Sequence, residues 1–315
     1  MEIDTKEERL VRRVNELFHD YTRDEYEGAT HAEMIHKERE RWNGLRKHFE
    51  KNKPMVILDI GSGSGFVPLS ISQYLKKEDK LICTDVSQKM LNNLETKLVK
   101  QNFRCRFSFF KLGDKKLPFK NGSVDVVTVN SVLHHIANTQ FFLKEIDRIL
   151  KNKGILIIGH EPNINFYKNN LLKFNNFFIR AIFSSKDIIK DMALIFGIEE
   201  SLIKFLTFIN KKQKNVLIKR ENLAYKINST LKKEKLINKE LSHRAIMALV
   251  DYKTKGFDPR KLTPYKILHI ETYNHLRGIA RRFLKLALLK KFNYYLQKKY
   301  PFDGRTFLAV YQKVL

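Results

Sequence analysis

The stretch VILDIGSGSGF, residues 56–66, places Gly61, Gly63 and Gly65 at alternate positions directly after a short apolar run. Such a turn lets a ligand lie against backbone amides, where any side chain would stand in the way. The dinucleotide fingerprint G-x-G-x-x-G is not met. The third glycine comes one residue early, Phe66 stands in its place, and Asp59 is foreign to that pattern. A second acid, Asp85, closes the run LICTDV, 24 residues after Gly61. His134 and His135 follow a third apolar run, and His160 and Glu161 end a fourth. Imidazole titrates near neutrality, so these histidines could take a proton from a bound molecule. Two histidines and a carboxylate also suggest a metal, but they come from different runs without ligand spacing, so no metal is expected.

The elements that must position these residues are legible as patterns. MVILDI, LICTDV, SVDVVTVNSVL and GILIIGHE are apolar runs, separated by the helical stretches VPLSISQYLKKE, SQKMLNNLETKLVKQ and NTQFFLKEIDRILKN. This alternation predicts βαβ units and a doubly wound, mostly parallel α/β sheet buried on both faces. Open sheets of this kind carry their sites at the carboxyl ends of the strands, where the glycines, acids and histidines fall. Residues 6–50 read as helices, with Met34, Ile35, Trp42, Leu45 and Phe49 roughly on one face and Trp42 in the core. After GHEP no convincing strand follows for about 90 residues. LLKFNNFFIRAIF and ESLIKFLTFINKK read instead as amphipathic helices. Strand character returns in YKILHIETY and RTFLAVYQKVL, with the basic helix RRFLKLALLKKFNYYLQKK between them.

The motif D-I-G-S-G-S-G resembles the first motif of class I S-adenosylmethionine (SAM)-dependent methyltransferases, and later motifs follow in order. The resemblance covers residues 54–161 well, 257–315 loosely and the intervening segment not at all. It implies a Rossmann-like, seven-stranded sheet with N-terminal helices and a helical insertion after the fifth strand. The domains would be residues 1–52 as a helical cap, 53–161 with 257–315 as the catalytic domain, and 162–256 as a lid over the acceptor. It implies SAM as cofactor, held by Asp59, Gly61, Ser62, Gly63 and Gly65, with Asp85 on the ribose hydroxyls and Val86 against the adenine. Asp114, in GDKKLPF, would reach the adenine amino group, and Asn130 would lie beside the cofactor. Tyr21, Tyr26 and His31 lie in the N-terminal region that often folds over the cofactor in this family; ordinary helix packing is the favoured reading for them, and Tyr21 is retained as a contact. His135, His160 and Glu161 are the candidates to take the acceptor proton or orient the acceptor.

The wording LPF…SVDVV…LHH is that of the branch with many small-molecule and lipid methyltransferases. The chain has no [DNS]-P-P-[FYW] after the fourth strand, no Pro-Cys nucleophile and no set of three cysteines. A small-molecule or lipid acceptor is therefore expected, in an apolar pocket to which Phe174, Phe177, Phe178, Phe183, Phe196, Phe205 and Phe208 contribute. The net charge of +26 is uneven: residues 1–150 carry 26 basic and 22 acidic side chains, and residues 151–315 carry 34 and 12. Codon bias towards Lys and Asn explains this without a ligand. An anionic membrane surface is the functional reading, and RNA methylation by the basic half is the alternative. Lys outweighs Arg in the basic tracts and no RNA-binding module is recognised. With two cysteines, Cys83 and Cys105, no signal-peptide pattern and no spanning run, a cytoplasmic location is expected.

Overall fold

A computed structural model describes residues 5–22, 38–101, 103–113, 116–175, 211–253, 256–276 and 287–314; the side chains of 211–217 and 287–290 lie outside that description. The first βαβ units follow the pattern of the sequence. Strand β1 (Val56–Ile60) leads through the glycine turn into helix α2 (Phe66–Ile71), and α1 (Lys6–Thr22) precedes both. Then come β2 (Lys80–Asp85), α3 (Gln88–Gln101), β3 (Arg106–Lys111), β4 (Val124–Asn130), α4 (Thr139–Ile149) and β5 (Leu150–Pro162). The short helix α5 (Ile164–Lys168), α6 (Lys211–Lys233) and α7 (His243–Val250) fall between β5 and β6. Strand β6 (Lys266–Tyr273), α8 (Ala287–Lys299) and β7 (Thr306–Gln312) complete the chain.

The seven strands form one sheet in the order β3-β2-β1-β4-β5-β7-β6. The first five are parallel, and β7 runs antiparallel between β5 and β6. Neighbouring residues on each central strand face opposite layers, as the two-residue period of a strand requires. Ile57, Val126, Ile157 and Leu308 pack on one face with Trp42, Phe49, Val67 and Leu94. Leu58, Val127, Ile158 and Ala309 pack on the other with Ile146 and Ile149 of α4. Apolar residues at consecutive positions are what burial on both faces demands, which is why these runs stand out in sequence.

Strand β3, RFSFFK, was not among the runs singled out above. It is an edge strand, half-buried in the middle and exposed at both ends. A strand covered on one face only carries charge beside its phenylalanines, so its pattern is weak. Met34, Ile35, Tyr26, His31 and all of the stretch ESLIKFLTFINKK but its last two lysines lie outside the described residues, as do Phe177, Phe178, Phe183, Phe196, Phe205 and Phe208. Phe174 is exposed (60%).

Helix α1 joins the N-terminal region to the insertion. Val14 and Leu17 pack against Ile227 and Leu231 of α6 and Ile246 and Val250 of α7. Asn15 donates to the Leu249 carbonyl (3.3 Å), and Arg13 pairs with Glu234. A separate cluster sets Phe166 and Leu172 against Leu276 and Leu296, tying the start of the insertion to the C-terminal segment.

Because β7 fills the gap between β5 and β6, its loss would strip both of their ladders. Deleting residues 305–315 is expected to abolish a cooperative thermal transition in calorimetry. The single change Leu308→Ala, at a fully buried position, should cost about 2–5 kcal/mol in urea unfolding while leaving one transition.

Candidate functional site

The carboxyl ends of β2, β1, β4 and β5 open on a cavity of about 510 Å³. Across three strand spacings the site spans about 14 Å. Asp85 stands at the β2 end, the glycine turn at β1, Asn130 to Ile136 at β4 and His160 at β5. Helix α1 closes the cavity from above with Val11, Arg12, Asn15 and His19. These positions recur at helical spacing on one face, while Val14 and Leu17 on another hold α6 and α7.

At Gly61 (φ +72°) a Cβ would meet the Val132 side chain at 2.2 Å, so only glycine fits the backbone and the space. At Gly63 (φ +49°) the nearest atom to a Cβ is 4.0 Å away, and that room belongs to the cavity. Gly65 differs from the expectation: it starts α2 against Leu94, not in the cavity wall. Asp85 holds the turn from β2, accepting from the amides of Gly63 (2.8 Å) and Ser87 (2.9 Å). Burial pushes its carboxyl up to about 6 against those hydrogen bonds. Ser62 and Val86 line the cavity. Asp59 lies beneath it, receiving the Thr128 hydroxyl (2.6 Å) on one oxygen while the other is buried without a partner. Burial pushes Asp59 up to about 7, and the Asp85 charge adds to the shift. Asn130 lines the cavity with its Oδ1 buried and without a hydrogen bond.

The histidines fall into two groups. His160 is the extra residue of a β-bulge, where the β5–β7 register slips between Gly159 and Glu161, and its φ of +53° turns the ring out of the strand. Its Nδ1 lies 3.3 Å from both Glu38 Oε1 and the Tyr273 hydroxyl. Glu38 also accepts from Tyr273 (2.9 Å) and pairs with Arg41 (3.3 Å). Burial would raise the Glu38 carboxyl, but His160, Arg41 and Tyr273 together hold it below the usual range.

The second group stands on the turn after β4. Glu161, fully buried, accepts from the amides of Val132 (2.5 Å), Leu133 (2.8 Å) and His134 (3.2 Å) and bonds His134 Nδ1 (2.8 Å). All its capacity is spent inside the fold and it does not line the cavity. It is therefore a positioning residue, where the sequence had suggested a group acting on the acceptor. Burial would depress His134, and the Glu161 charge overcomes this to hold the imidazole above its ordinary value. His135 bonds the Val250 carbonyl (2.6 Å) through Nδ1, and burial drives it down to about 4. His19 meets His135 edge-on, 5.6 Å between ring centroids, and burial takes it down to about 3.

Tyr21 also departs from the expectation. It is exposed, 3.4 Å from the Thr230 hydroxyl and near Lys89 and Lys226, away from the cavity wall. Asp114 lies outside the described residues. Among the cavity residues that the sequence reading did not single out are His19, Glu38 and Asp251. The helical spacing of α1 could have pointed to His19; nothing local marks the other two.

Residues 58–158 match the family model described as "Methyltransferase domain". That segment is therefore similar to the methyltransferase domain of SAM-dependent enzymes. A demethylmenaquinone methyltransferase of Lactococcus lactis is 30% identical over 159 residues, half of this chain and 62% of that protein. The ubiquinone/menaquinone biosynthesis C-methyltransferase UbiE of Rickettsia prowazekii is 32% identical over 101 residues, 31% of this chain and 41% of that protein. The chain thus spans less than two thirds of the length of either relative. A crystal structure of a SAM-dependent methyltransferase from Aquifex aeolicus aligns with a TM-score of 0.34 at 26% identity, over 37% of this chain and 62% of that one.

The methyltransferase domain's cavity fits the family's cofactor. The bare Gly63 backbone gives room along the turn, Asn130 lines the same space, and Asp85 is a buried acceptor facing it. The raised carboxyls also set the pH response of the free protein. Asp59 ionises near 4 when unfolded and near 7 when folded, so the folded state holds the proton more tightly. Its contribution is full below pH 4 and is lost as pH rises to 7, an effect on the order of 4 kcal/mol. Asp59→Asn is expected to flatten the pH dependence of the urea midpoint between pH 4 and 7; a slope identical to that of the unaltered protein would contradict the assignment.

Proposed function

We propose that the whole chain is a SAM-dependent methyltransferase whose acceptor is an apolar small molecule, with an aromatic ring bearing hydroxyl groups as the favoured class. The observation that carries the reading is the single cavity holding the glycine turn, Asp85 and Asn130 together with His160, under a cover of α1. When bound, SAM supplies a methyl group on a sulfonium sulfur, transferred by in-line displacement. Asp85 and the amides of the turn bind and orient it. His160, braced by Glu38 and Tyr273, takes the proton that the acceptor must lose. The relatives' names point to quinone-type acceptors, and the cavity wall, with Ile60, Val67, Leu117, Phe141 and Phe142, suits an apolar ring. Helices α6 and α7, within the proposed lid, hold α1 over the cavity, which excludes water from the reaction.

Isotopically labelled SAM incubated with the protein and with demethylated quinols or a lipid extract should give a labelled small molecule by mass spectrometry. Label in RNA instead, with binding that weakens steeply with salt, would replace this acceptor by nucleic acid. In calorimetry, Asp85→Ala is expected to weaken SAM by about 1.5–3 kcal/mol, more than tenfold, through the lost charge-assisted contact. His160→Ala should leave SAM affinity near that of the unaltered protein and lower turnover by about 10²-fold or more. Unchanged turnover would remove His160 from the proton transfer.

A further inference from the structure

We propose that His134, His135 and Asp251 form a binding site for a divalent first-row transition-metal ion in the cavity wall. One donor atom from each of the three lies within 4.8 Å of the others. The turn after β4 supplies both imidazoles, and the segment just beyond α7 supplies the carboxylate, 116 residues later in the chain. The two segments are tied together: the Lys253 amide donates to the His134 carbonyl (2.8 Å), and His135 Nδ1 bonds the Val250 carbonyl (2.6 Å). Asp251 is thereby held beside the two rings by backbone contacts on both sides of it.

The orientation of the rings favours a ligand over a plain ion pair. A metal-binding histidine usually gives its second nitrogen to a carboxylate or a carbonyl, which fixes the ring and sets the tautomer. His134 does so with Glu161 (2.8 Å), a carboxylate that three backbone amides already lock in place. Its Nε2 is left pointing towards Asp251 Oδ1 at 3.9 Å. His135 does so with the Val250 carbonyl, which can only accept, so Nδ1, 3.9 Å from Asp251 Oδ1, carries the hydrogen, and a turn of the Asp251 side chain is needed to meet the lone pair on Nε2. The 3.9 Å gap between Asp251 and His134 Nε2 exceeds a hydrogen bond. It lies close to the roughly 3.4 Å between two donors bound at about 2.1 Å to one tetrahedral ion. A small rotation of the half-exposed Asp251 side chain closes the difference.

Two imidazoles and one carboxylate suit zinc or iron(II) better than magnesium or calcium. Three protein ligands leave coordination positions open, and all three residues line the same cavity as the glycine turn and His160. An acceptor hydroxyl bound at an open position would be held in the cavity and made more acidic. That role rests on the methyl-transfer reading; the binding of the ion does not.

The test uses the full chain without an affinity tag, treated with EDTA and desalted. Zn²⁺ is titrated by calorimetry, and Co²⁺ is added with its visible absorption recorded. One Zn²⁺ per chain and a Co²⁺ spectrum with ligand-field bands are expected. Asp251→Ala and His135→Ala should each weaken Zn²⁺ by at least about tenfold and reduce those bands. Asp251 is half-exposed, so its variant is the one expected to fold without difficulty. Absence of stoichiometric Zn²⁺ binding, or binding that both variants leave unchanged, overturns the site. S-adenosylhomocysteine is titrated in parallel on the same metal-free protein. If it binds where Zn²⁺ does not, the metal site fails while the methyltransferase reading stands; if Zn²⁺ binds where it does not, the reverse holds.

Discussion

Glu161 is the interaction on which the site's geometry depends. One fully buried carboxylate takes three backbone amides of the turn after β4 and the ring nitrogen of His134. A buried carboxylate without such partners would cost several kcal/mol. The need to satisfy it therefore fixes the path of residues 131–135 with little freedom. That path carries Val132 against Gly61, both histidines into the cavity wall and the His134 carbonyl to the Lys253 amide. The bulge at His160 belongs to the same arrangement. By taking one residue out of register it lets His160 meet Glu38 while Glu161 turns beneath the β4 turn.

The other side of the cavity carries an opposite electrostatic problem. Asp59 and Asp85 are buried near each other, and no cation is among the causes that set their ionisation. Burial raises both carboxyls, Asp59 to about 7 and Asp85 to about 6, and one Asp59 oxygen has no hydrogen-bond partner. A ligand presenting donors or positive charge to this end relieves that frustration, so part of the binding energy is stored in the folded protein. Hydroxyl and ammonium groups are of this kind, and the cavity's aliphatic and aromatic wall takes the remainder of a bound molecule.

Helix α1 joins these two ends to the insertion. One face presents Val11, Asn15 and His19 to the cavity, and another anchors Val14 and Leu17 in the cluster with α6 and α7. Motion of that cluster must therefore move the cavity wall, and occupancy of the cavity must stabilise the cluster by mass action. Arg13 to Glu234 and Lys111 to Glu16 add ion pairs at the rim; being partly exposed, they contribute specificity of docking more than stability.

What the sequence determined by itself is everything that depends on local pattern. Largely apolar runs at 56–60, 81–85, 124–129 and 155–158 announce strands buried on both faces, and the glycines at 61 and 63 announce a tight turn. The resemblance to a methyltransferase domain was legible because the glycine turn and Asp85 sit at fixed spacing along one βαβ unit. What only the tertiary structure decided depends on contacts between distant segments. Whether Glu161 faces a substrate or braces a turn turns on one bulge, and an alternating strand pattern has no mark for a bulge. Tyr21 and His19 are two residues apart on one helix, yet one is exposed and the other lines the cavity, because the packing of α6 and α7 sets the rotation of α1. Glu38 and Asp251 reach the site from 122 residues before His160 and 116 after His135. Carboxylates on a charged surface look alike in sequence, and only the closing of the chain distinguishes the few that meet a histidine.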